Sequence, residues 1–516
     1  MKTKLSLLSA GLLYGSAALA QSQPNVVIIL ADDMGYGDVS CNNPNGRIQT
    51  PAIDELAQNG IRFTDCHSAG SLSGPSRYGL VTGRYFFRAT PHNDYWGYLY
   101  PCIEKERLTI GSMMQKAGYT TACIGKWHLG LGWQLKDPTK PQILTPEKFG
   151  VTNVDFAARI LDAPTSRGFD YSFILPASLD MPPYGFVRND RMIDSDMTLV
   201  ADAYPEHTKP DTKFAWDRRY TGKDDIYWER GVWWRNGEMS RSFKFEDCLP
   251  TVVDEGIKFI EREGKKKDKP FFLYLPLTGP HTPWMASAGT KGTTELGTYA
   301  DFIKDIDNVV ARVNQKLKDM GIADNTIVIF ASDNGAAWTE EDIQQYGHNS
   351  NWNRRGQKGD AYDGGHHVPM IIHWPGHTQK GKTYAQTVGL IDIYATLAEI
   401  TGQKLVKGQA EDSFSFKSVL DGNLETPTRD HILYLSGANK ICIKKGDWKY
   451  ISCLGSGGFT RPYEMKPLKN GPKGQLYNLR TDSMELNNLY LPEPAKVKEL
   501  TSEIERLKAQ GYSRPQ

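Results

Sequence analysis

The chain has 516 residues, 39% of them hydrophobic, and its 61 lysines and arginines nearly balance its 60 aspartates and glutamates. This near-neutral balance excludes the broad basic surface that binds nucleic acid, and it excludes an acidic tail. The length predicts one large domain and a smaller one, with enough chain to bury a substantial core.

The first 20 residues predict a cleaved export signal. Lys2 and Lys4 precede an apolar stretch that ends in Ala-Leu-Ala at 18–20, the small-x-small form of a signal-peptidase site. Cleavage after Ala20 lowers the net charge from +1 to −1, because the leader carries two lysines and no acidic residue. No cysteine precedes Cys41 and no later run is long enough to span a bilayer. We therefore expect a periplasmic or secreted protein without a lipid anchor or a transmembrane segment.

Strand and helix patterns alternate from residue 25 to about residue 430. An unbroken apolar run at 26–30 predicts a central strand covered on both faces, and an amphipathic helix with Pro51 at its first position follows. Further strands are expected at 60–69, 119–125, 271–277, 325–335 and 368–376, and further helices at 75–83, 109–118, 298–320 and 390–402. This alternation predicts an α/β fold with a large, doubly wound, mostly parallel sheet and helices on both faces.

From about residue 430 the pattern changes to short alternating strands at 431–437, 440–446 and 448–453, followed by an amphipathic helix at 494–511. We therefore expect an export signal at 1–20, a large domain at 21–430 and a small α+β subdomain, an antiparallel sheet with a helix, at 431–516. None of the seven cysteines forms a C-x-x-C pair. Cys442 and Cys453 flank a predicted hairpin, which leaves a disulfide between them as an open alternative.

Residues 150–250 are rich in proline, aromatic and charged residues and show no clear period. Long irregular stretches of this kind usually build substrate pockets, although plain surface loops are the alternative.

Polar residues follow the carboxyl ends of several predicted strands. They are Asp32 and Asp33, Ser73 with Arg77, Lys126 with His128, His281, and Asp333 with Asn334. Because ligands bind beyond these strand ends in open α/β sheets, we expect the groups to converge on one crevice. The two acidic pairs offer only oxygen donors, which favours calcium or magnesium over zinc, although either pair alone would more often shape a turn.

Positively charged or ionisable groups accompany the candidate metal donors. They are Arg77, Lys126, His128, His281 and Lys358. Each alone would more often be a surface ion pair or a packed histidine. Taken together beside a cation, they suit an anionic ester, sulfate or phosphate, whose charge they could hold in the transition state.

The segment SGPSRYGLVTG, residues 73–83, resembles the signature of the type I sulfatases, which belong to the alkaline phosphatase superfamily. The segments ADDMGYGD, GKWHLG, GPHTPW, ASDNG and RGQKGDAYDGG occur in the order of that family, so the resemblance extends over nearly all of the chain after the leader. It implies a sulfuric ester hydrolase on a doubly wound sheet, in agreement with the fold predicted above.

The resemblance implies that Ser73 is a precursor. A maturase, acting before export, oxidises it to formylglycine, and the hydrated aldehyde attacks sulfur through one hydroxyl and expels sulfate by elimination through the other. Serine rather than cysteine at this position implies a radical-type bacterial maturase that works without oxygen. The implied ligands of calcium, with magnesium as the alternative, are Asp32, Asp33, Asp333, Asn334 and the diol oxygen at position 73.

The resemblance also implies a role for each cationic group. Arg77 orients the diol, Lys126 bridges the diol and the sulfate, and His128 acts on the diol proton. His281 and Lys358 hold sulfate oxygens, with His281 the better candidate to protonate the leaving alcohol. The chain departs from the common pattern at Asp363, which stands where glutamate usually precedes two glycines, and at His367, which stands where arginine often precedes Val-Pro.

Aromatic and polar residues near the motifs predict a carbohydrate pocket. The candidates are His92, Asp180, Tyr184, Trp338 and His348, each of which could instead pack in the core. We therefore expect a sulfated glycan, such as a glycosaminoglycan or mucin, as the substrate. The alternatives are a broad arylsulfatase, a phosphoester or phosphonate hydrolase, and a non-catalytic glycan-binding protein whose Ser73 is never converted.

Overall fold

The structure, a computed structural model, describes residues 23–89, 97–98, 100–144, 152–204, 235 and 237–516. The expected export signal at 1–20 and the candidate sugar-binding residue His92 lie outside these ranges, so both stay predictions. Among the helices within these ranges, none is both long enough and apolar enough to cross a membrane.

The described strands are β1 (Asn25–Ala31), β2 (Ile61–Phe63), β3 (Cys66–His67), β4 (Thr120–Lys126), β5 (Tyr171–Leu175), β6 (Val187–Arg188), β7 (Arg191–Met192), β8 (Met197–Leu199), β9 (Glu238–Ser240), β10 (Phe271–Pro276), β11 (Thr326–Ser332), β12 (Met370–His373), β13 (Lys382–Tyr384), β14 (Val388–Gly389), β15 (His431–Leu435), β16 (Ile441–Lys445), β17 (Trp448–Ile451) and β18 (Gln475–Asn478). The described α-helices are α1 (Pro51–Asn59), α2 (Ser73–Thr82), α3 (Ile110–Lys116), α4 (Val200–Ala203), α5 (Cys248–Glu263), α6 (Thr298–Asp319), α7 (Glu340–Tyr346), α8 (Asp363–His366), α9 (Ile393–Ile400), α10 (Lys417–Leu420) and α11 (Pro494–Gln510).

The large sheet has ten strands in the order β13-β2-β12-β11-β1-β10-β4-β5-β6-β7. At its centre β1 pairs in parallel with β10 on one side and with β11 on the other. Side chains alternate between the two faces of a strand. Accordingly, Val26 and Ile28 belong to one hydrophobic core, and Val27 and Ile29 belong to a second. The unbroken apolar run of β1 therefore serves two cores at once, which confirms the predicted doubly wound α/β fold.

Several elements differ from the sequence expectations. The predicted strand at 60–69 is divided into β2 and β3, and β12 runs antiparallel to both β11 and β2. Helix α5 is absent from the predicted elements, although its buried positions, such as Val252, Gly256 and Phe259, recur at helical spacing. It begins at the end of the aperiodic stretch, where the irregular pattern obscures its start.

A second sheet lies near the carboxyl end of the chain, with the antiparallel order β15-β16-β17-β18, and α11 packs against it. This arrangement agrees with the predicted small antiparallel sheet and helix, while the boundary at residue 430 stays a prediction. Cys442 pairs with Ile451 in the β16–β17 register, whereas Cys453 lies two residues beyond Ile451. The two thiols are therefore not opposite each other, and both are free in the structure.

Candidate active site

The carboxyl ends of the central strands bring the predicted polar residues together. Asp32 and Asp33 follow β1, Lys126 is the last residue of β4, and Asp333 with Asn334 follows β11. Backbone bonds fix this edge, since Asp32 donates to the Gly279 carbonyl at 2.9 Å and Asp333 donates to the Ala31 carbonyl at 3.1 Å.

Two site residues adopt a backbone conformation that non-glycine residues seldom take. The φ angles are 66° at Asp33 and 56° at His128, in the left-handed region. Such conformations cost free energy and persist only where the surrounding structure enforces them, typically at functional sites. Here each one occurs two residues beyond the end of a strand of the large sheet, and both side chains are buried.

Ser73 is the first residue of α2, two residues earlier than the predicted helix start at Pro75. Its hydroxyl lies 3.1 Å from Asp32 Oδ1 and 3.3 Å from Asn334 Oδ1, and it accepts from Lys126 Nζ at 3.3 Å. All ten residues of α2 are buried, and Ser73 itself is 3% exposed. The amino end of α2, which carries the predicted nucleophile, therefore lies against the acidic strand ends, and a helix amino end favours a bound anion.

The oxygen donors form a single buried group, which we call the strand-end cluster: Asp32, Asp33, Ser73, Asp333 and Asn334. The Asn334 amide donates to Asp33 Oδ1 at 2.7 Å, and the Asp33 amide donates to Asp333 Oδ1 at 3.1 Å. Asp32, Asp33 and His281 each offer one atom within 4.8 Å of the others. The predicted oxygen-only donors thus converge, and carboxylate, amide and hydroxyl oxygens are the donors that calcium and magnesium prefer.

Three cations pair with the three carboxylates of this cluster. Lys126 Nζ lies 2.8 Å from Asp32 Oδ2, and Lys358 Nζ lies 2.6 Å from Asp33 Oδ2. Arg77 binds Asp333 through Nε at 2.9 Å and through a second guanidinium nitrogen at 2.8 Å. Since the three charged pairs balance, a bound divalent cation would leave an excess positive charge, which an anionic ester can neutralise.

Burial sets the protonation states around these pairs. Burial raises the pKa of Asp32, but Lys126, His281 and Arg77 outweigh it, so the net pKa lies below its usual value. Burial lowers the pKa of His128 well below its usual value, and Lys126 and Arg77 lower it further. Asp32 is therefore an ionised acceptor and His128 a neutral imidazole, which is the form that can take up a proton.

Asp180, one of the predicted sugar-binding residues, lies beside His281, and it is joined there by Arg235, which the sequence did not indicate. Asp180 forms a buried ion pair with Arg235, and its other oxygen lies 3.7 Å from His281 Nδ1. Burial raises the pKa of Asp180, but Arg235, His281 and Lys358 lower it by more. The resulting pKa is about 2, so the group is ionised. Arg235 belongs to a stretch without periodicity, and only its contact with Asp180 reveals it.

The remaining candidate sugar-binding residues have protein partners. Tyr184 donates from its hydroxyl to the Arg235 carbonyl at 2.8 Å, and Trp338 donates to the His348 carbonyl at 2.8 Å. His348 in turn lies 2.9 Å from Asp38 Oδ1. All three candidates are buried. These contacts favour packing roles for Tyr184, Trp338 and His348, and Tyr184 supports the backbone of Arg235.

A second buried charge cluster lies between the large sheet and the C-terminal sheet. We call it the lysine-centred cluster: Lys449, Asp363, Glu485, His366 and His67. Lys449 Nζ lies 2.7 Å from Asp363 Oδ1, 2.7 Å from Glu485 Oε1 and 3.2 Å from His366 Nε2. His67 and His366 face each other through their Nδ1 atoms at 3.0 Å. The cation at the centre of these acceptors is thus a side chain of the protein.

This second cluster reaches the strand ends through α8. Gly335, the residue after Asn334, donates from its amide to the Gly365 carbonyl at 3.0 Å. A Cβ at Gly335 would lie 1.8 Å from the Gly364 carbonyl oxygen, so only glycine permits this approach. The departures from the common pattern fall in the same segment: Asp363 binds Lys449, and His367 accepts from Arg354 at 2.8 Å.

Comparisons with known proteins find similar proteins over most of this chain. The sulfatase family model matches residues 24–403. N-acetylgalactosamine-6-O-sulfatase of Bacteroides thetaiotaomicron is 32% identical over 507 residues, which cover 94% of this chain and 93% of that protein. N-acetylgalactosamine-6-sulfatase of Mus musculus is 28% identical over 86% of this chain and 74% of its own length. A solved Bacteroides thetaiotaomicron structure, described with the metabolism of multiple glycosaminoglycans, superposes with a TM-score of 0.79 at 30% identity, covering 94% of this chain and 99% of that one.

Proposed function

Since this chain belongs to the sulfatase family and is accordingly a sulfuric ester hydrolase, we propose that it removes sulfate from a sulfated glycan, with N-acetylgalactosamine 6-sulfate as the first candidate sugar. The name of the Bacteroides relative supplies that candidate, because the similarity extends over 94% of the chain. Export through the signal at 1–20 would place the enzyme where such glycans are found.

The observation that carries the carbohydrate assignment is the carboxylate of Asp180. Among the described residues, its Oδ1 atom has no hydrogen-bond partner, although the group is buried and ionised beside His281. An unpaired buried acceptor costs free energy unless a ligand satisfies it. A sugar hydroxyl can donate to this oxygen while the sulfate group lies against His281 and Lys358. An aryl ester has no hydroxyl to offer there.

Residues of the strand-end cluster supply the reaction chemistry in this proposal. Conversion of Ser73 to formylglycine by the maturase removes two hydrogens. One hydroxyl of the hydrated aldehyde attacks sulfur as the bond from sulfur to the sugar oxygen breaks. The second hydroxyl then loses its proton and re-forms the carbonyl, which expels sulfate by breaking the carbon–oxygen bond that held it. A calcium ion, with magnesium as the alternative, fits the oxygens of Asp32, Asp33, Asp333, Asn334 and position 73, and when bound it polarises the sulfate ester and favours an ionised nucleophile.

The cationic residues hold charge and move protons. Lys126 lies 3.3 Å from the oxygen at position 73, and Arg77 is fixed by Asp333, so both orient the nucleophile. His128, neutral in the buried site, accepts the proton that is lost from the hydroxyl at position 73. Lys358 holds a sulfate oxygen while keeping its contact with Asp33.

His281 protonates the leaving alcohol in this scheme. Its Nδ1 atom lies 2.6 Å from the Thr282 carbonyl oxygen, which fixes the ring and assigns a proton to Nδ1. Nε2 then faces the cluster, 3.6 Å from Asp33 Oδ2. In the imidazolium form, which carries a proton on both ring nitrogens, Nε2 gives its proton to the sugar oxygen as the sulfur–oxygen bond breaks, and the ring returns to the neutral form protonated at Nδ1.

The test compares matched esters on enzyme purified from a host that carries the radical-type maturase. The panel contains N-acetylgalactosamine 6-sulfate, glucosamine 6-sulfate, 4-nitrophenyl sulfate and the phosphate analogues. We expect kcat/KM to be highest for a sulfated sugar, and we expect the peptide that carries residue 73 to be lighter by about 2 Da than its serine form. Faster release of phosphate than of sulfate would contradict the function, and a peptide of unmodified mass in a fully active enzyme would contradict the mechanism.

Asp180→Asn tests the sugar contact in the same panel. The change keeps the size of the side chain but weakens its acceptor, so we expect kcat/KM for the sulfated sugar to fall by about 10- to 100-fold, the cost of a charged hydrogen bond. 4-Nitrophenyl sulfate should be affected much less. Asp202→Asn, at an exposed position of α4, is the matched control. Equal losses on both esters would show that Asp180 acts on the reaction centre rather than on the sugar.

A further inference from the structure

An exposed loop between β17 and β18 lies beside the segment that carries Lys358. We call residues 459–473 the basic loop, since they contain four basic residues, Arg461, Lys466, Lys469 and Lys473, and one acidic residue, Glu464. The chain as a whole is nearly neutral, so this is a local concentration of positive charge. The proposed mechanism leaves its purpose unexplained.

Hydrogen bonds fasten the start of the basic loop to the active-site segment. The Asp360 carboxylate accepts from the amides of Phe459 at 2.7 Å and Thr460 at 2.9 Å. The Phe459 ring lies against Gly359, where a Cβ would be 2.8 Å from Cγ of the ring. Gly359 in turn donates from its amide to the Ser71 carbonyl at 2.8 Å. The start of the basic loop therefore contacts Gly359, the residue that follows Lys358. Gly359 also connects it to Ser71, which is two residues before Ser73.

Beyond this anchor the loop is open to solvent. Every residue from 461 to 470 is exposed, and Leu468 is 82% exposed. The Arg461 guanidinium lies over the Tyr463 ring at 5.6 Å, and Glu464 is paired with Lys440 at 2.8 Å. Within the described ranges, no carboxylate forms an ion pair with Lys466, Lys469 or Lys473. Three lysines and two partly exposed aromatic rings, Phe459 and Tyr463, thus face solvent next to the site.

We propose that the basic loop binds the anionic part of a glycan chain beyond the sugar whose sulfate is removed, so that the enzyme prefers sulfated oligosaccharides to the sulfated monosaccharide. This inference rests on the proposed glycan function. Lysine and arginine bind sulfate and carboxylate groups through charge-assisted hydrogen bonds, and aromatic faces accept the apolar faces of sugar rings. Because the Phe459 ring lies against Gly359, the residue after Lys358, the basic loop is a neighbouring surface for the sugars that follow a sulfate held by Lys358.

Kinetics on two substrates test this inference: N-acetylgalactosamine 6-sulfate and a 6-sulfated chondroitin tetrasaccharide. The loop variant carries Lys466→Gln, Lys469→Gln and Lys473→Gln. The matched control carries Lys265→Gln, Lys267→Gln and Lys269→Gln, which are exposed residues in the turn before β10, at the opposite edge of the sheet from the site. Both variants lose the same formal charge.

We expect the loop variant to raise KM for the tetrasaccharide by about tenfold at low salt, which is the combined effect of three exposed ionic contacts. Its kcat/KM for the monosaccharide should stay within about twofold of the wild type, because single surface charges away from the contact matter little. High salt should abolish the difference, since exposed ionic contacts are screened. The control variant should match the wild type on both substrates.

Three results would overturn the inference. Equal tetrasaccharide KM values in the loop variant, the control variant and the wild type would remove the role of the loop while leaving the glycan function intact. A wild-type enzyme that hydrolyses neither glycan would overturn the proposed function and this inference together. Loss of binding to phosphatidylglycerol vesicles in the loop variant, with an unchanged tetrasaccharide KM, would assign the loop to a membrane surface instead.

Discussion

The strand-end cluster and the lysine-centred cluster are both buried groups of acidic and basic side chains, yet they are organised in opposite ways. In the lysine-centred cluster, the ammonium group of Lys449 lies between the carboxylates of Asp363 and Glu485, so the central cation is a side chain of the protein. In the strand-end cluster, each carboxylate pairs with a cation, and oxygens of Asp32 and Asn334 converge on the hydroxyl of Ser73. A cluster that supplies its own central cation is suited to holding structure, and one whose acceptors converge on a reactive oxygen is suited to chemistry.

The largest effect that separates the clusters is on activity. Ser73→Ala removes the oxygen on which the strand-end cluster converges, so we expect sulfate release to fall by about 10⁴-fold or more, as when a nucleophile is deleted. The midpoint of chemical denaturation should change little, because the hydroxyl contributes only weak hydrogen bonds. Ser502→Ala, on the exposed side of α11, is the control. A Ser73→Ala enzyme that keeps more than about 1% of the activity would place the nucleophile elsewhere.

The next largest effect is on stability. Lys449→Met leaves the carboxylates of Asp363 and Glu485 buried without their cation, so we expect the free energy of unfolding to fall by about 3–5 kcal/mol. Guanidinium denaturation measures this change. Lys445→Met, in the adjacent strand β16 and partly exposed, should cost less than about 0.5 kcal/mol. Similar losses in the two variants would mean that Lys449 contributes no more than an ordinary surface lysine.

Metal removal should act on the strand-end cluster alone. A ligand present at 100 times its dissociation constant stabilises the folded state by about 2.7 kcal/mol, so chelation followed by calcium titration should shift the unfolding free energy by about that amount and restore sulfate release. The same shift should occur in Lys449→Met, because independent sites contribute additively. A calcium shift that is lost in Lys449→Met would show that α8 couples the clusters.

The smallest effect is a pH dependence of the lysine-centred cluster. Burial raises the pKa of Glu485 to about 7 despite Lys449, whereas the same lysine holds the pKa of Asp363 well below its usual value. The folded state then binds a proton at Glu485 that the unfolded chain releases near its usual pKa of 4.5, so stability falls as the pH rises from 4.5 to about 7.

Glu485→Gln should abolish this fall, which is worth about 1–2 kcal/mol for a shift that is shared with Asp363. Denaturation at pH 5 and pH 7 measures it, with Arg355, which donates to the Glu485 carbonyl, left unchanged. Because the Asp363 contribution is lost only below its ordinary pKa of 3.8, it does not enter this window. An unchanged pH slope in the variant would assign the proton to another group.

The sequence predicted the strand-end cluster because its information is local. Asp32 and Asp33 end one apolar run, Asp333 and Asn334 end another, and the geometry of parallel strands brings such ends together. The order of strands and helices was predictable for the same reason, since each follows from the period of its own apolar residues.

The lysine-centred cluster could not be predicted, because it depends on distant parts of the chain. Lys449 and Asp363 are 86 positions apart, and no pattern within either segment indicates the other. Arg235 could not be predicted for the same reason, because its place beside the site depends on an ion pair with Asp180, 55 positions earlier in the chain. Trp338 and Tyr184 were predicted to bind a sugar because they are aromatic, but residue type alone does not distinguish an aromatic ring that binds a sugar from one that packs in the core.

The segment around Lys358 also has a consequence for the order in which the protein is made. Gly359 accepts a hydrogen bond from Gly437, Asp360 from Phe459 and Thr460, and Asp363 from Lys449. All of these donors are synthesised after the segment that they hold. A nascent chain that stops before them has every strand of the ten-stranded sheet but not the framework around Lys358, so catalysis has to wait for the final part of translation.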